Sequence, residues 1–173
     1  MTGLSVRCIT VGAFQVNTYL ITDVATGQAA VIDTGETSEL AEYLQSLTPI
    51  PDVRMILLTH GHLDHAGALI PLQQVFDVPT YLPRMEQALF ATLPQQGDWF
   101  GAPQMNRPCG RIDRYVDDGD TIALGKTTLH FISTPGHTPG QGCYFDSDHI
   151  FVGDTLFAGS IGRTDLPMGG IML

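Results

Sequence analysis

The chain has 173 residues, 43% of them hydrophobic and 15% charged, without a low-complexity run, which fits a single globular domain over residues 1–173 and excludes a disordered or fibrous chain. Eight Lys and Arg against 18 Asp and Glu give a formal charge of -10 with no basic patch, which opposes nucleic acid and anionic membrane surfaces as partners. The start, "MTGLSVRCITVG", lacks a basic segment followed by a long apolar one, and no later window resembles a membrane span, so a cytosolic location is expected.

"LSVRCITVG" and "NTYLITD" alternate apolar and polar residues and predict two strands; after a turn at "ATGQ", the apolar run "AAVID" predicts a third. "TSELAEYLQSL" places Leu40, Tyr43, Leu44 and Leu47 at helical spacing behind a Thr or Ser cap. "RMILLT" suits a short buried strand, and "HAGALIPLQQVF" a helix that begins just after a histidine cluster. A strand "PTYL" and a helix "PRMEQALFATL", with Pro83 in its first turn, continue a layered α/β pattern. Residues 94–114 carry Pro, Gly and the only Trp without a period, and read as a long surface loop suited to binding. Two hairpins follow, one turning at Gly125 and Lys126, the other at Asp146 to Asp148. Cys8, Cys109 and Cys143 form no Cys-x-x-Cys pair and are expected to be reduced, mostly buried thiols.

The segment "LLTHGHLDHAGAL" brings His60, His62, Asp64 and His65 within six residues. Extended backbone puts His60 and His62 on one face, because strand side chains alternate with period two, while Asp64 and His65 fall at the turn into the next helix. That spacing suits two adjacent metals. Imidazole and carboxylate donors without thiolates favour zinc, iron or manganese in an open, reactive site over a closed structural zinc. In "STPGHTPG", His137 lies on a loop stiffened by Pro and Gly, and in "HIFVGDTLF", Asp154 ends an apolar strand where a carboxylate needs a partner. His130 and His149 sit in or beside strands without such framing and are read as ordinary strand residues.

"THGHLDH", "TPGHTPG" and "FVGDTLF", in that order, resemble the metallo-β-lactamase superfamily, and within it the glyoxalase II group of hydroxyacylglutathione hydrolases and their short, YcbL-like relatives. The likeness runs from "NTYLI" and "VIDTG" to "GSIGRTDLP". It implies a four-layer αβ/βα sandwich with metals at one edge between two sheets. It further implies a first metal on His60, His62 and His137, a second on Asp64 and His65, and Asp154 bridging both, with Asp33 supporting the loop. Two zinc ions are the implied cofactors, iron or manganese the variants. The chain ends at "DLPMGGIML" without the further Pro-Gly-His histidine of the family and without its closing strand and helix, so a C-terminally truncated domain with a weaker second metal site is expected.

The resemblance implies a hydrolase of small thioesters, glutathione-derived ones among them, that uses a water acidified by the metals. Asp64 would orient that water, and Arg163 in "GSIGRTDLP" would anchor an anionic acyl or glutathione group. A thiolate leaves readily, so no strong general acid is required. Two other readings are open at this stage: a persulfide dioxygenase type with one iron at His60 or His62, His137 and Asp154, and a truncated, catalytically silent metal-binding fold.

Overall fold

The computed structural model describes residues 3–168. Six strands form the first sheet in sequence order: β1 (Leu4–Val11), β2 (Val16–Asp23), β3 (Gln28–Ile32), β4 (Asp52–Leu57), β5 (Thr80–Pro83) and β6 (Arg114–Val116). The first three pair antiparallel, as short turns permit, and the rest pair parallel because a helical crossover precedes each. The crossovers carry α1 (Glu39–Ser46), then α2 (Leu63–Ala66) and α3 (Leu69–Val75), then α4 (Gln87–Phe90) and α5 (Leu93–Trp99). The second sheet, in the order β10-β9-β8-β7, comprises β7 (Thr121–Leu124), β8 (Thr127–Ser133), β9 (Gly142–Phe145) and β10 (Ile150–Phe151). A small hairpin of β11 (Leu156–Phe157) and β12 (Ser160–Ile161) follows it.

Strand alternation separates two cores. Ala29 and Val31 of β3, with Val53 and Ile56 of β4, face Leu40, Leu44, Leu69 and Leu72 of the helices. Ala30, Ile32, Met55 and Leu57 face the second sheet, where Ile122, Leu129, Phe131 and Tyr144 meet them. A bulge sets this parity: Ala29 pairs with Val53 but Ala30 with Met55, so Arg54 is the extra residue and turns out to solvent. Asp23, at the end of β2, accepts from the Thr127 hydroxyl of β8 at 2.7 Å and ties the sheets at the end remote from the histidines. The order is helices, sheet, sheet, as in the αβ/βα sandwich; among the described residues no helix lies beyond Met105 to cover the outer face of the second sheet.

Both hairpins turn where the sequence places them, at 125–126 and at 146–148. Five expectations need correction. The helix after the histidines is two short ones, and α2 begins at Leu63, so Asp64 and His65 lie on a helical turn rather than ahead of it. The helix over "PRMEQALFATL" is a 3-10 turn at Arg84–Glu86 followed by the four-residue α4, and Pro83 ends β5 instead of opening a helix. Glu86 is drawn inward at that break, which interrupts the helical period. The loop at 94–114 contains most of α5, with Pro94 in its first turn, and a 3-10 turn at Pro103–Met105; a Cβ on Gly97 would meet the Ala102 carbonyl oxygen at 2.5 Å, so tight packing rather than periodicity orders this segment. Of the thiols only Cys143 is buried, since Cys8 points outward from the first strand and Cys109 lies in the exposed stretch before β6. Ser38 caps α1 in position alone, as its hydroxyl bonds Glu42 rather than a backbone N–H.

Candidate metal centre

The histidine loop leaves the C-terminal end of β4, and its backbone is fixed before its side chains are. The Tyr144 hydroxyl of β9 donates to the Leu58 carbonyl at 3.1 Å, and Gly142 N–H donates to the Thr59 carbonyl at 3.2 Å, so the second sheet grips the loop where it starts. Asp33 sits just past β3 with φ of 58°, a left-handed conformation in which Asp is better tolerated than most residues. There its carboxylate accepts from Thr59 N–H and the Thr59 hydroxyl, both at 2.8 Å, and from His65 Nδ1 at 2.8 Å. Asp33 therefore supports the loop.

Glu86 and Gln96 finish the clamp. One oxygen of buried Glu86 accepts from Gly61 N–H at 2.8 Å, between His60 and His62, and the other from Gly140 N–H at 2.7 Å, on the loop that carries His137. Burial pushes the Glu86 carboxyl up, while the Gly61 N–H, the Thr138 hydroxyl and the Gly140 N–H pull it down. The Gln96 amide accepts from Leu63 N–H at 2.7 Å and donates to the Gly61 carbonyl at 3.0 Å. Sequence reasoning missed Glu86, Gln96 and Thr59. Their partners are mostly backbone groups, which leave no motif; the one available signal was charged Glu86 within an otherwise helical apolar pattern.

The imidazoles are thereby aimed. The Thr59 hydroxyl gives its proton to Asp33, so it accepts from His60 Nδ1, 3.1 Å away. His65 Nδ1 is bound to Asp33, and His137 Nδ1 donates to the Arg163 carbonyl at 2.7 Å. With Nδ1 occupied on all three rings, Nε2 is the nitrogen presented to the site, the outer-shell arrangement typical of histidine ligands. His62 differs: its Nδ1 faces His137 Nε2 at 2.9 Å. His60, His62 and His137 form one group of donors and His60, His65 and Asp154 a second, each with its ligand atoms within 4.8 Å of one another. Asp154 stands between them, with Oδ1 3.1 Å from His65 Nε2 and Oδ2 3.3 Å from His137 Nε2. Asp64 lies beside the second group, 3.7 Å from His65 Nε2. His130 stacks on Phe145 and His149 pairs with Asp146, both outside the site.

These residues fit a divalent metal. Nε2 of His60 and of His62 is buried without a hydrogen-bond partner, a costly state that coordination relieves. Burial and the neighbouring imidazoles His65, His62 and His137 hold His60 well below the ordinary histidine range. Burial, His137 and His65 bring His62 down to about 3. Both rings are thus neutral and offer lone pairs at neutral pH. Burial works against the His65 cation, yet Asp33 and Asp64 hold it well above the ordinary value. Burial also raises the Asp64 carboxyl, whereas in Asp154 the same burial is outweighed by the His65 hydrogen bond and charge, which lower it.

A cavity of about 310 Å3 opens onto these groups, lined by His62, Asp64, His137 and Asp154 on its polar side. Phe14, Leu63, Phe100, Phe157 and Leu166 form its apolar walls, and Arg163 is its one cationic lining residue. The Arg163 guanidinium is 2.7 and 2.9 Å from the two oxygens of Asp165.

Two stacked sheets with helices on one side, whose loops gather open imidazole nitrogens around an aspartate at one edge, define an α/β protein with a metal-binding site. The chain belongs to the metallo-beta-lactamase superfamily, whose family model matches residues 11–171. It is 35% identical over 170 residues to hydroxyacylglutathione hydrolase GloC of Haemophilus influenzae, covering 96% of this chain and 78% of that protein. Among solved structures it is similar to the BLEG-1 B3 metallo-beta-lactamase, with a TM-score of 0.83 and 30% identity over 96% of this chain and 79% of that one. It is also similar to TTHA1623 in a di-iron-bound form, with a TM-score of 0.81 and 31% identity over 95% of this chain and 79% of that one. Among the described residues no helix is long and apolar enough to cross a membrane.

Proposed function

We propose that the chain is a metal-dependent hydrolase of small thioesters, of hydroxyacylglutathione hydrolase type. The observation that carries this reading is the pair of buried, unpartnered Nε2 atoms of His60 and His62, the second of which lines the cavity. The 35% identity to a hydroxyacylglutathione hydrolase supports the choice of bond. In this reading His60, His62 and His137 hold one ion, His65 and Asp64 a second, and Asp154 both. Zinc is the proposed ion, and the di-iron form of a relative at 31% identity makes iron the second candidate.

A bound divalent ion supplies Lewis acidity and makes an attached water acidic enough to attack near neutral pH. The chain's own residues do the rest. Asp33, Thr59 and the Arg163 carbonyl fix the ring planes of His65, His60 and His137, so that their Nε2 atoms face the site, and binding of an ion would release the proton that His65 shares with Asp154. Asp64 reaches the cavity from the α2 turn, and its carboxylate accepts the proton of the attacking water and orients its lone pair toward the acyl carbon. The departing thiolate is stable as the anion, so the site needs no acid beside it. Arg163, at the rim, meets the negative charge of a glutathione carrier by exchanging its exposed pair with Asp165.

The test is turnover of S-lactoylglutathione by protein loaded with zinc or with iron, beside metal analysis. Hydrolysis that disappears in His60→Ala with loss of bound metal is expected. A metal-loaded protein inert toward thioesters would overturn the reading, and oxygen uptake on a glutathione persulfide by an iron-loaded form would replace it.

A further inference from the structure

Phe14 and Phe100 meet edge to face, with ring centroids 6.2 Å apart, at the mouth of the cavity. They are 43% and 47% exposed. Aromatic rings normally lead the burial of a fold, and a cluster of exposed ones at the rim of a polar site marks a surface built for a ligand. Phe157, 45% exposed, stands with them on the cavity wall.

Phe14 is held in place at some cost. Its loop, residues 12–15 between β1 and β2, is tied by Glu36, whose buried carboxylate accepts from Ala13 N–H, and by Glu39, which accepts from Gly12 N–H at 2.9 Å. Glu36 Oε2 has no hydrogen-bond partner, an expense that positioning the loop accounts for. Gly12, at φ of +71°, leaves the only room this contact has, since a Cβ there would fall 2.1 Å from the Glu36 oxygens. Phe100 follows α5, the helix from which Gln96 clamps the histidine loop, and Phe100 N–H donates to the Gly97 carbonyl at 3.1 Å.

We infer that Phe14, Phe100 and Phe157 form an apolar acyl pocket, so that this site selects thioesters whose acyl group is aromatic or otherwise bulky and apolar over those of small hydroxy acids. The inference rests on the thioesterase reading and refines it. The reacting carbonyl must lie against the imidazoles and carboxylates, so the parts of the substrate on either side of it divide between the aromatic rings and Arg163, which line the same cavity. A glutathione half carries charged carboxylates, and pressing these against phenyl rings would strip their water without providing a partner. It therefore lies toward Arg163, and the acyl half lies between the rings.

The test compares S-mandeloylglutathione with S-lactoylglutathione, which differ by phenyl against methyl, on the zinc-loaded full chain. The expected kcat/KM is about tenfold higher for the mandeloyl ester, and Phe14→Ala and Phe100→Ala each lower that ratio about tenfold, with Phe14→Leu between. A ratio near one in the parent, or a ratio untouched in both alanine variants, overturns the acyl pocket while leaving thioester hydrolysis standing. If neither ester is hydrolysed the thioesterase reading falls, and binding of the inert thioethers S-benzylglutathione and S-methylglutathione by calorimetry still decides the pocket: about tenfold tighter benzyl binding that is lost in Phe14→Ala supports it, and equal binding overturns it.

Discussion

The carboxylate of Glu86 accepts a hydrogen bond from the backbone N–H of Gly61, 2.8 Å away and midway between the histidines at 60 and 62. Its second oxygen does the same for Gly140, so one side chain fixes the spacing of two loops that come from different sheets. In Glu86→Gln one of those N–H groups faces an amide NH2 and loses its acceptor, at a cost of about 1–3 kcal/mol. The expected outcome is a lower Tm together with weaker zinc binding in a chelator competition. Normal zinc affinity at a lowered Tm would restrict Glu86 to a structural role.

Metal loading itself should stabilise the fold. An ion that binds only the native state adds RT ln(1 + [L]/Kd), about 2.7 kcal/mol at a hundredfold excess over Kd. Thermal melts of chelator-treated protein with and without added zinc are expected to show a rise in Tm that His60→Ala removes, since His60 belongs to both donor groups. His65→Ala, in one group only, should keep part of the rise.

Gly153 offers a way to disturb the centre without touching a donor. Its φ is +49°, and a Cβ there would stand 2.5 Å from the Thr59 hydroxyl oxygen. Gly153→Ala is strained by backbone and by contact, and it displaces the hydroxyl that links His60 to Asp33. Weaker metal binding is expected in a chelator competition, and an affinity equal to the parent's would show that the Thr59 hydroxyl can be displaced without loss to the centre.

At the opposite end, hydrogen bonds from Thr26 and Thr127 lower the Asp23 carboxyl from 3.8 to about 2. Since the folded value lies below the unfolded one, this stabilisation is present above the unfolded value and fades as pH falls through the folded value. Asp23→Ala is therefore expected to lower stability at neutral pH, and the gap to the parent to narrow as pH drops from 3.8 toward about 2. A gap constant over that range in denaturant titrations would locate the effect in packing instead.

Much of the site could be read from the chain because its donors are spaced by backbone rules. His60 and His62 follow a buried strand two residues apart, and Asp154, expected at the end of an apolar strand, lies on the turn three residues beyond β10. The strands were legible for the same reason, since alternation in "NTYLITD" records which side is buried. Glu86 was not, because its partners are N–H groups that every sequence contains. Nor was the division of the 63–75 helix at Gly67 and Ala68, or the order of residues 93–105, where Gly97 and Asn106 pack in three dimensions without a period. The exposed Phe14 and Phe100 are near neither each other nor the histidines in sequence, and only the closed fold brings them to one opening.

The donors of the centre reach it from the first sheet at His60 and from the second at His137 and Asp154. An ion held among them would act as a removable crosslink between the two halves of the sandwich, one that exists only while the chain is folded. Protease resistance should then report occupancy: the two sheets cannot part until the ion has left, so cellular metal supply would set how long each molecule survives as well as how fast it works.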